Sequence, residues 1–383
     1  MRIAINANLV SFSGTYRQAG VSKYTELLIN HLGKVDSENE YLIYFGNGPH
    51  PAHFASAPNF HLRASRFNTE KPLTRIAWEQ AVAPGVLLWD HPDVLHCPVN
   101  VVPLASFSPA VLTIHDLGFM RFPERYKAAK RRYLHVMTSL SARKASHIIT
   151  PSESVRQEVI DLLKIRPDKV TAVAEGAGQS FRVYPEQEVA EWRKANNVPD
   201  RFVLYLGTLE PRKNLPLLLR AFARWRQEQP SQARDVVLVL GGAKGWLYEE
   251  IFRLVKELDL ESVTRFQGYI SENDLPLWYN SARCFVYPSV YEGFGLPPLE
   301  AMASGCPVIT SNTSSLPEVV GEAGIMVGPD DVDALTAGLA SLLTDEAEYS
   351  RRRKACLERA AGFTWTQAAR QTLDIYRQVA SKK

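Results

Sequence analysis

The sequence lacks several features that would assign it to a membrane, secreted or metal-binding class. No apolar run reaches the roughly 18 residues that a membrane-spanning helix needs. The opening "MRIAINANLV" is too short and too polar for a signal peptide, and it predicts a first strand instead. The four cysteines are scattered, without a CxxC pair, so no cysteine metal site is expected. These absences favour a reduced, cytoplasmic setting, and no metal or cofactor is expected.

Familiar nucleotide and hydrolase motifs are also missing. No P-loop, nucleophile elbow or zinc-ligand spacing occurs in the chain. The first strand–helix loop, within "NANLVSFSGTYRQAGVSKYTELL", carries Gly14 and Gly20 but no GxGxxG fingerprint, which disfavours an NAD-linked dehydrogenase. Gly20 directly precedes the predicted helix, where a missing side chain would let a ligand phosphate approach the backbone. The alternative is an ordinary flexible loop.

What the sequence does contain is an alternation of apolar strands and helical patterns, which is typical of parallel α/β layers. Its 383 residues, 45% of them hydrophobic, suffice for two cores. We predict two Rossmann-like, doubly wound domains facing across a cleft, where the carboxyl ends of the strands would hold the ligand. The predicted parts are an N-terminal domain (1–180), a hinge (181–200), a C-terminal domain (201–362) and a terminal helix (363–383) packing back toward the N-terminal domain.

Individual elements follow from the same alternation. Continuous apolar runs between turn residues predict strands at Arg2–Ala7, Glu40–Phe45 and His147–Thr150. Helical patterns cover residues 75–81 and 124–144.

The stretch "EGFGLPPLE" (residues 292–300) combines a glycine-lined turn, two prolines and two carboxylates. A buried strand, "CFVYPS", precedes it, and proline favours a helix start near Pro297. The turn at residues 293–296 would then present backbone N–H groups and a helix dipole to a phosphate. A diphosphate there would repel Glu292 and Glu300, so both are expected to bind hydroxyls on either side of it, as a nucleotide sugar requires. For Glu300, the alternative is a first-turn carboxylate that the dipole alone favours.

Two further loops carry charged side chains at predicted strand ends. In "YLGTLEPRKNLPLLLRAF", Arg212 and Lys213 precede Asn214, a predicted N-cap, and two cations there suit diphosphate neutralisation. Scattered surface charge is the alternative. In "LTIHDLGF", His115 and Asp116 end a strand at the predicted cleft. A buried, hydrogen-bonded structural histidine is the alternative there.

Polar or flexible residues end two more strands. In "FQGYISENDLPLWYNSA", backbone groups of Gly268, Tyr269 and Ile270 could contact the edge of a base. In "SNTSSLPEVVGEAG", the residues from Asn312 to Ser315 could meet hydroxyls or phosphate.

The segment from Arg121 to His147 is strongly basic. It holds eight Lys or Arg residues against one acid, Glu124, which gives a local charge of +7 in a chain of net charge +3. The segment is either a solvated helix face or a surface for anionic lipid or another anionic partner.

These stretches together resemble the family 4 retaining glycosyltransferases of the GT-B fold. The resemblance covers nearly the whole chain and is carried by "EGFGLPPLEAMASGCPVITSNTSSLPEVVGEAG", "GTLEPRKNL", "IHDLGFMRFPE" and "GVSKYTELL". Within the family, the chain looks most like bacterial mannosyltransferases of polysaccharide and lipid-linked glycan assembly. One departure is that the first loop lacks the adjacent glycine pair that many members carry.

The resemblance implies that residues 1–180 bind the acceptor and residues 201–362 the nucleotide sugar, and it implies specific roles for single residues. Glu292 would contact the donor sugar, Glu300 the ribose hydroxyls, and His115 the sugar near its 6-hydroxyl. The catalytic group it implies is Glu292, His115, Arg212 and Lys213, with the two cations binding the diphosphate. The full nucleotide-sugar site would comprise Gly20, Gly207, Arg212, Lys213, Gly268, Tyr269, Ile270, Glu292, Gly293, Phe294, Gly295, Leu296 and Glu300.

The implied reaction is transfer of a hexose with retention of configuration, by front-face attack and without a metal. The expected donor is GDP-mannose, and the acceptor is a glycan or lipid-linked glycan of cell-surface polysaccharide assembly. A UDP-sugar-dependent transferase, a sugar phosphorylase or a nucleotide-sugar epimerase of the same fold are alternatives, as is a non-catalytic glycan-binding or lipid-binding module. The expected location is cytoplasmic, peripheral at the inner membrane face through residues 121–147, and no nucleic acid partner is expected.

Overall fold

The computed structural model describes residues 1–12, 20–48, 50–69 and 71–382. Gly14 of the first loop therefore lies outside the described residues. The chain forms two compact units, of which the first comprises Met1–Gly176 and Thr364–Lys383 and the second Ala177–Phe363. Each unit is built around one parallel sheet.

The first unit holds a seven-stranded sheet in the order β3-β2-β1-β4-β5-β6-β7. Its strands pair in parallel, with Ile3 of the first strand opposite Tyr41 on one side and Val94 on the other. The strands are β1 (Arg2–Ala7), β2 (Glu40–Phe45), β3 (Phe60–Ala64), β4 (Val94–Cys97), β5 (Ala110–Thr113), β6 (His147–Thr150) and β7 (Val170–Ala172).

The second unit holds a six-stranded parallel sheet in the order β10-β9-β8-β11-β12-β13. In both sheets the chain reverses its direction of growth beside the first strand, between β1 and β4 and between β8 and β11. Ligands of doubly wound folds bind outside the carboxyl ends of the strands at such a point. The strands are β8 (Arg201–Leu206), β9 (Val236–Gly241), β10 (Thr264–Gly268), β11 (Cys284–Tyr287), β12 (Val308–Ser311) and β13 (Ile325–Val327).

Helices connect the strands and cover the sheets. A π-helix (Trp78–Val82) joins the second and third helices, and the last helix belongs to the first unit. The α-helices are α1 (Val21–Val35), α2 (Pro72–Ala77), α3 (Ala83–Asp90), α4 (Gly118–Arg121), α5 (Ala128–Lys144), α6 (Glu153–Leu163), α7 (Glu186–Ala195), α8 (Leu215–Glu228), α9 (Pro230–Ala233), α10 (Glu249–Glu257), α11 (Leu275–Ser281), α12 (Leu296–Ala303), α13 (Leu316–Val320), α14 (Val332–Thr344), α15 (Glu346–Ala360) and α16 (Trp365–Ala380).

Both faces of the first sheet are buried, because its side chains alternate between two cores. Ile3 and Ile5 pack into the core that includes Tyr376 of α16, whereas Ala4 packs into the core that includes Trp78. Strands buried on both faces read as continuous apolar runs, as the sequence shows. The predicted fold class, two Rossmann-like doubly wound units, is confirmed.

Several local predictions need correction. The predicted helix over residues 124–144 is broken, because a 3-10 turn ends at Arg125 and Lys127 adopts an extended conformation before α5 begins. Asn214 is not a side-chain N-cap: it lies in the left-handed region (φ 53°), and its amide donates to the carbonyl of Pro329 over 2.7 Å. The stretch 181–200 contains α7, whose Trp192 ring packs edge-on against Trp278 within the second unit, and its role as a hinge stays a prediction.

No helix in the described part of the chain is long and apolar enough to cross a membrane. The four cysteines are buried free thiols: Cys97 and Cys284 lie in strands, Cys356 lies in α15, and Cys306 lies between α12 and β12.

Candidate active site

Two cations and one carboxylate meet at the carboxyl ends of β8 and β11. The Nζ atom of Lys213 lies 2.6 Å from Oε1 of Glu292, and Nη1 of Arg212 lies 3.1 Å from Oε2 of the same carboxylate. The side chains of Lys213 and Glu292 are only 8% and 12% exposed, so this is a nearly desolvated ion cluster. It occupies the point where the strand order of the second sheet reverses.

Four further groups complete the hydrogen bonding of this cluster. Ser289 donates its hydroxyl to Oε1 of Glu292 over 2.6 Å, and Lys213 also donates to the Tyr287 hydroxyl over 2.5 Å. Arg212 donates to the carbonyl of Tyr291 (2.6 Å) and to the carboxylate of Glu210 (3.1 Å). Each cation is therefore held in one orientation toward the loop that follows β11.

The charges of this cluster are strongly coupled. Burial by itself would raise the pKa of Glu292, but the positive charges of Lys213 and Arg212 outweigh it and lower that pKa to about 2. Burial lowers the pKa of Lys213, and the nearby guanidinium of Arg212 acts in the same direction. For Arg212, burial is outweighed by the carboxylates of Glu292 and Glu210, which raise its pKa. Glu292 is thus ionised at neutral pH.

The turn at residues 293–296 is held by hydroxyls from the loop after β12. Ser315 donates to the carbonyls of Phe294 (2.6 Å) and Glu292 (3.0 Å), and the Ser314 hydroxyl accepts from the Glu292 amide over 3.0 Å. The turn also needs glycine at position 295, because its φ is 116° and a Cβ there would lie 2.9 Å from a methyl group of Leu316. These hydroxyls brace the turn, rather than meeting a ligand as the sequence suggested for Ser315.

Helix α12 follows this turn, and its first turn differs from the prediction. It begins at Leu296, so Glu300 is its fifth residue rather than a first-turn carboxylate. Pro297 and Pro298 have no amide hydrogen, so backbone donors for an anion come from the turn at residues 293–296, which includes Leu296. Glu300 accepts a hydrogen bond from the Tyr279 hydroxyl over 3.3 Å.

Glycines line the carboxyl ends of three neighbouring strands in the same sheet. Gly242 donates its amide to the carbonyl of Gly268 over 2.7 Å, and a Cβ on Gly242 would lie 2.0 Å from the carbonyl oxygen of Gly207. A Cβ on Gly207 would lie 3.7 Å from Cε of Lys213, which places this glycine beside the ion cluster. Tyr269 is half exposed, whereas Ile270 is buried.

The remaining predicted residues lie in the first unit. His115 follows β5, and its Nε2 lies 2.9 Å from the carbonyl oxygen of Pro98, which can only accept, so Nε2 carries a proton. Its Nδ1 lies 3.7 Å from the buried carboxylate of Glu175, and the ring of Tyr24 packs edge-on against it. Gly20 precedes α1 with a φ of 60°, a conformation that favours glycine.

The basic segment is divided between two surfaces of the first unit. Lys130, Arg131 and Arg132 are exposed in the first half of α5, while Arg143 and Lys144 are exposed at its end. Arg121 is paired with Glu158 over 2.6 Å.

Within the second unit, the structure brings Gly207, Arg212, Lys213 and Glu292 together and places the 293–296 turn directly after them. The roles of His115 and Gly20 toward a donor stay predictions. The sequence analysis did not identify Tyr287, Ser289 or Glu210 as site residues, although the predicted strand "CFVYPS" contains both Tyr287 and Ser289. Among the described residues, no group of three or more His, Cys, Asp or Glu side chains is arranged to hold a metal ion.

Known protein families match most of each unit of the chain. Residues 186–360 match the family described as "Glycosyl transferases group 1", and residues 19–177 match "Glycosyltransferase Family 4". The chain is 32% identical over 373 residues to O-antigen chain mannosyltransferase B of Escherichia coli, covering 94% of this chain and 97% of that protein. The chain belongs to the family 4 glycosyltransferases. The resemblance inferred from the motifs is therefore confirmed, and the chain is an enzyme of the transferase class.

Other similar proteins show how widely this glycosyltransferase family extends. Glycogen synthase of Mycobacterium tuberculosis is 30% identical over 298 residues, covering 74% of this chain and 68% of that protein. Among solved structures, Anabaena HepE in complex with UDP and glucose superposes with a TM-score of 0.73 at 18% identity, covering 99% of this chain and 100% of that one. This structural likeness concerns the fold, and the predicted GT-B fold is confirmed.

Proposed function

We propose that this glycosyltransferase moves a hexose, mannose from GDP-mannose, to a glycan or lipid-linked acceptor in cell-surface polysaccharide assembly. The observation that carries the proposal is the cluster of Arg212, Lys213 and Glu292 beside a glycine-rich turn at the strand-order reversal of the second sheet. The buried Lys213 and the partly exposed Arg212 fit the diphosphate, and carboxylates fit hydroxyls on either side of it. Glu292 takes the donor sugar and Glu300 the ribose.

The ion cluster suggests how the donor would enter. Without a ligand, Glu292 pairs with both cations, and Glu210 supplies the second negative charge beside Arg212. A diphosphate would supply that neutralisation instead and release the carboxylate toward sugar hydroxyls. The cations would therefore remain paired in both states, which avoids leaving a buried charge uncompensated.

The same groups would stabilise the leaving group. As the bond between the sugar and the diphosphate breaks, negative charge grows on the phosphate, and Arg212, Lys213 and the turn amides are oriented before the reaction begins. One such preorganised donor contributes about 2.7–4 kcal/mol to transition-state stabilisation. In front-face attack, the acceptor hydroxyl approaches on the leaving-group side, and the departing phosphate takes its proton, so configuration is retained.

The choice of mannose rests on the relatives. The Escherichia coli protein that matches nearly the full length is named as a mannosyltransferase of the O-antigen chain. The alternative, a UDP-sugar donor, is supported by HepE, whose structure holds UDP and glucose. A sugar phosphorylase of the same fold is a further alternative. We place the enzyme at the cytoplasmic face of the membrane, where lipid-linked acceptors are extended.

One assay separates these functions. The protein is incubated with GDP-mannose, UDP-glucose, UDP-N-acetylglucosamine and UDP-galactose, with and without short mannosides, and released GDP or UDP is measured. The proposal predicts GDP release from GDP-mannose. Release of UDP alone supports the UDP-sugar alternative, and formation of sugar phosphate from a glycoside with inorganic phosphate supports a phosphorylase.

A further inference from the structure

Three large apolar side chains are exposed on the first unit, two of them in one depression and the third beside one of these two in sequence. Leu88 is 59% exposed, Trp89 is 85% exposed and Phe107 is 92% exposed. Leu88 and Phe107 line one shallow depression whose other walls include Pro84, His91, Pro92 and Pro109, and Trp89 follows Leu88 in the last turn of α3. Single exposed apolar residues are ordinary, but a contiguous exposed patch marks an interaction surface.

This patch lies at the amino-terminal edge of the first sheet. His91, Phe107 and Lys144 each precede their strand by three residues, since β4, β5 and β6 begin at Val94, Ala110 and His147. The amide of Ser146 donates to the carbonyl of Ala110 over 2.7 Å, so the segments before β5 and β6 are adjacent. Neighbouring strands are about 4.8 Å apart, which sets Phe107 and Lys144 on the same edge.

The edge is positively charged on the side of β6 and β7. Arg143 and Lys144 are exposed at the end of α5, and Lys164 and Arg166 are exposed before β7. Lys169 donates to the carbonyl of Arg143 over 2.8 Å, which ties the two basic segments together.

The acids at this edge are already engaged. Asp168 pairs with Arg166 at 3.3 Å. On the other side of the patch, Asp90 accepts from the Tyr44 hydroxyl over 2.6 Å, and Asp93 accepts from the amide of Arg2 over 2.9 Å. Asp90 and Asp93 keep their negative charge but lie on the other side of the patch, so an anionic surface would meet the exposed Arg143 and Lys144 on the β6 side of the rings.

We propose that this edge, formed by Leu88, Trp89, Phe107, Arg143 and Lys144, docks the enzyme on an anionic lipid surface. Exposed aromatic and aliphatic side chains enter the interfacial region of a bilayer, while flanking lysines and arginines attract anionic headgroups. A second copy of the chain held through the rings is the competing occupant, which the test below distinguishes from a lipid surface. The inference goes beyond the donor reaction and does not depend on which sugar is transferred.

The proposed surface shares only Arg143 and Lys144 with the basic segment 121–147 that the sequence suggested. Lys130, Arg131 and Arg132 lie in the first half of α5, whereas Arg143 and Lys144 end it. A helix of 17 residues spans about 25 Å, so the two basic groups can be tested separately.

The test is sedimentation with phosphatidylcholine vesicles, with and without phosphatidylglycerol, at low and high salt. The variants are Trp89→Ser/Phe107→Ser, Arg143→Ser/Lys144→Ser and Lys130→Ser/Arg131→Ser/Arg132→Ser. The matched control is Phe67→Ser/Leu73→Ser, which removes two apolar side chains that are 48% and 83% exposed elsewhere in the same unit. Quenching by brominated lipid in the wild type and in Trp89→Phe reports whether the Trp89 ring enters the bilayer.

The expected result is binding of the wild type to anionic vesicles at low salt, with quenching that Trp89→Phe reduces. Trp89→Ser/Phe107→Ser should weaken partitioning by about tenfold or more, because the apolar contacts are lost, while the control binds like the wild type. The proposal is overturned if the wild type stays in solution with anionic vesicles. It is also overturned if the ring variant binds as well as the wild type, or if light scattering shows that the rings hold a dimer. Donor cleavage in vesicle-free buffer is a separate readout, so a failure here leaves the proposed function independently testable.

Discussion

The ammonium of Lys213 lies 2.6 Å from the Glu292 carboxylate, although 79 residues separate them in the chain. This contact joins the loop after β8 to the loop after β11, and Arg212 adds a second cation to the same carboxylate. The site is therefore neutralised internally before any ligand arrives. Removing Glu292 or either cation therefore leaves a charged partner in this cluster without its counter-charge.

Replacing Arg212 and Lys213 with alanine should weaken binding of GDP or UDP by about tenfold or more, because charge-assisted hydrogen bonds contribute roughly 1.5–3 kcal/mol each. Calorimetry measures the affinity. Since the double change would leave Glu292 buried without its cations, the matched experiment repeats it in a Glu292→Gln background, where no carboxylate is left unpaired. Unchanged nucleotide affinity in a folded variant would remove both cations from the site.

Substitution of Glu300 and substitution of Glu292 should have different effects on nucleotide binding and turnover. Glu300→Gln should weaken nucleotide binding, because this residue is assigned to the ribose. Glu292→Gln should leave GDP or UDP affinity equal to or above that of the wild type, since Glu292 competes with the diphosphate for Arg212 and Lys213, yet it should lower turnover. Calorimetry and steady-state rates separate these effects, with Glu346→Gln as a control at a 74% exposed carboxylate. Equal loss of nucleotide affinity in both variants would contradict the assignment.

Acid should disrupt the ion cluster by protonating Glu292. The folded-state pKa of Glu292 is about 2, against an ordinary value of 4.5. Its contribution is therefore present above pH 4.5 and is lost as the pH falls from about 4.5 toward 2, with a full size of about 3 kcal/mol. Urea unfolding of the wild type and of Glu292→Gln should converge in stability across this range. A constant difference between the two proteins down to about pH 2 would show that the carboxylate is not held ionised in the fold.

Much of the fold was readable from the sequence because the strands are buried on both faces. The predicted bounds of β1, β2 and β6 match the structure, since continuous apolar runs end sharply at turn residues there. The region of the predicted helix over residues 75–81 was less readable. It contains the π-helix Trp78–Val82, which apolar periodicity does not distinguish from an α-helix, and α3 extends it to Asp90.

The site was only partly readable, because its contacts are long-range. Arg212, Lys213 and Glu292 were each identified from local patterns, but their pairing depends on the adjacency of β8 and β11. Ser315 was expected to face a ligand, and its hydroxyl instead holds the carbonyls of Glu292 and Phe294. A serine after a strand has the same sequence signal in both cases.

Ser315→Ala should loosen the 293–296 turn. The buried hydroxyl is lost, and the carbonyl of Phe294 loses its 2.6 Å donor, at a cost of about 1–3 kcal/mol in unfolding free energy. Donor affinity and turnover should fall with it, because the turn amides would no longer be held in place. Ser341→Ala is the control, since that hydroxyl donates within its own helix, to the carbonyl of Gly338. Wild-type stability and turnover in Ser315→Ala would show that the turn holds its shape without this bond.

The first unit should be acid-labile through His96, which lies at the centre of a buried polar chain. Its Nδ1 is 2.6 Å from the Tyr376 hydroxyl of α16, and its Nε2 is 2.8 Å from the Thr113 hydroxyl of β5. Burial, with a smaller effect from His115, lowers the pKa of His96 to about 3, against an ordinary value of 6.5. The unfolded chain therefore binds a proton that the folded chain does not. The contribution of His96 to the free energy of unfolding falls as the pH drops from about 6.5 toward 3.

The size of this effect follows from the window that lies between the two pKa values. At pH 5 the loss attributable to His96 is about 2 kcal/mol, since each pH unit in that window costs about 1.4 kcal/mol. The measurement is the urea midpoint of the wild type and of His96→Gln between pH 7 and about pH 4. The variant should start less stable and lose less stability on acidification, whereas the exposed control His135→Gln should follow the wild type. Because the difference between proteins is compared, the opposing effect of Glu79, whose pKa burial raises to about 7, cancels. Parallel pH profiles for the wild type and His96→Gln would show that His96 is protonated without cost in the folded state.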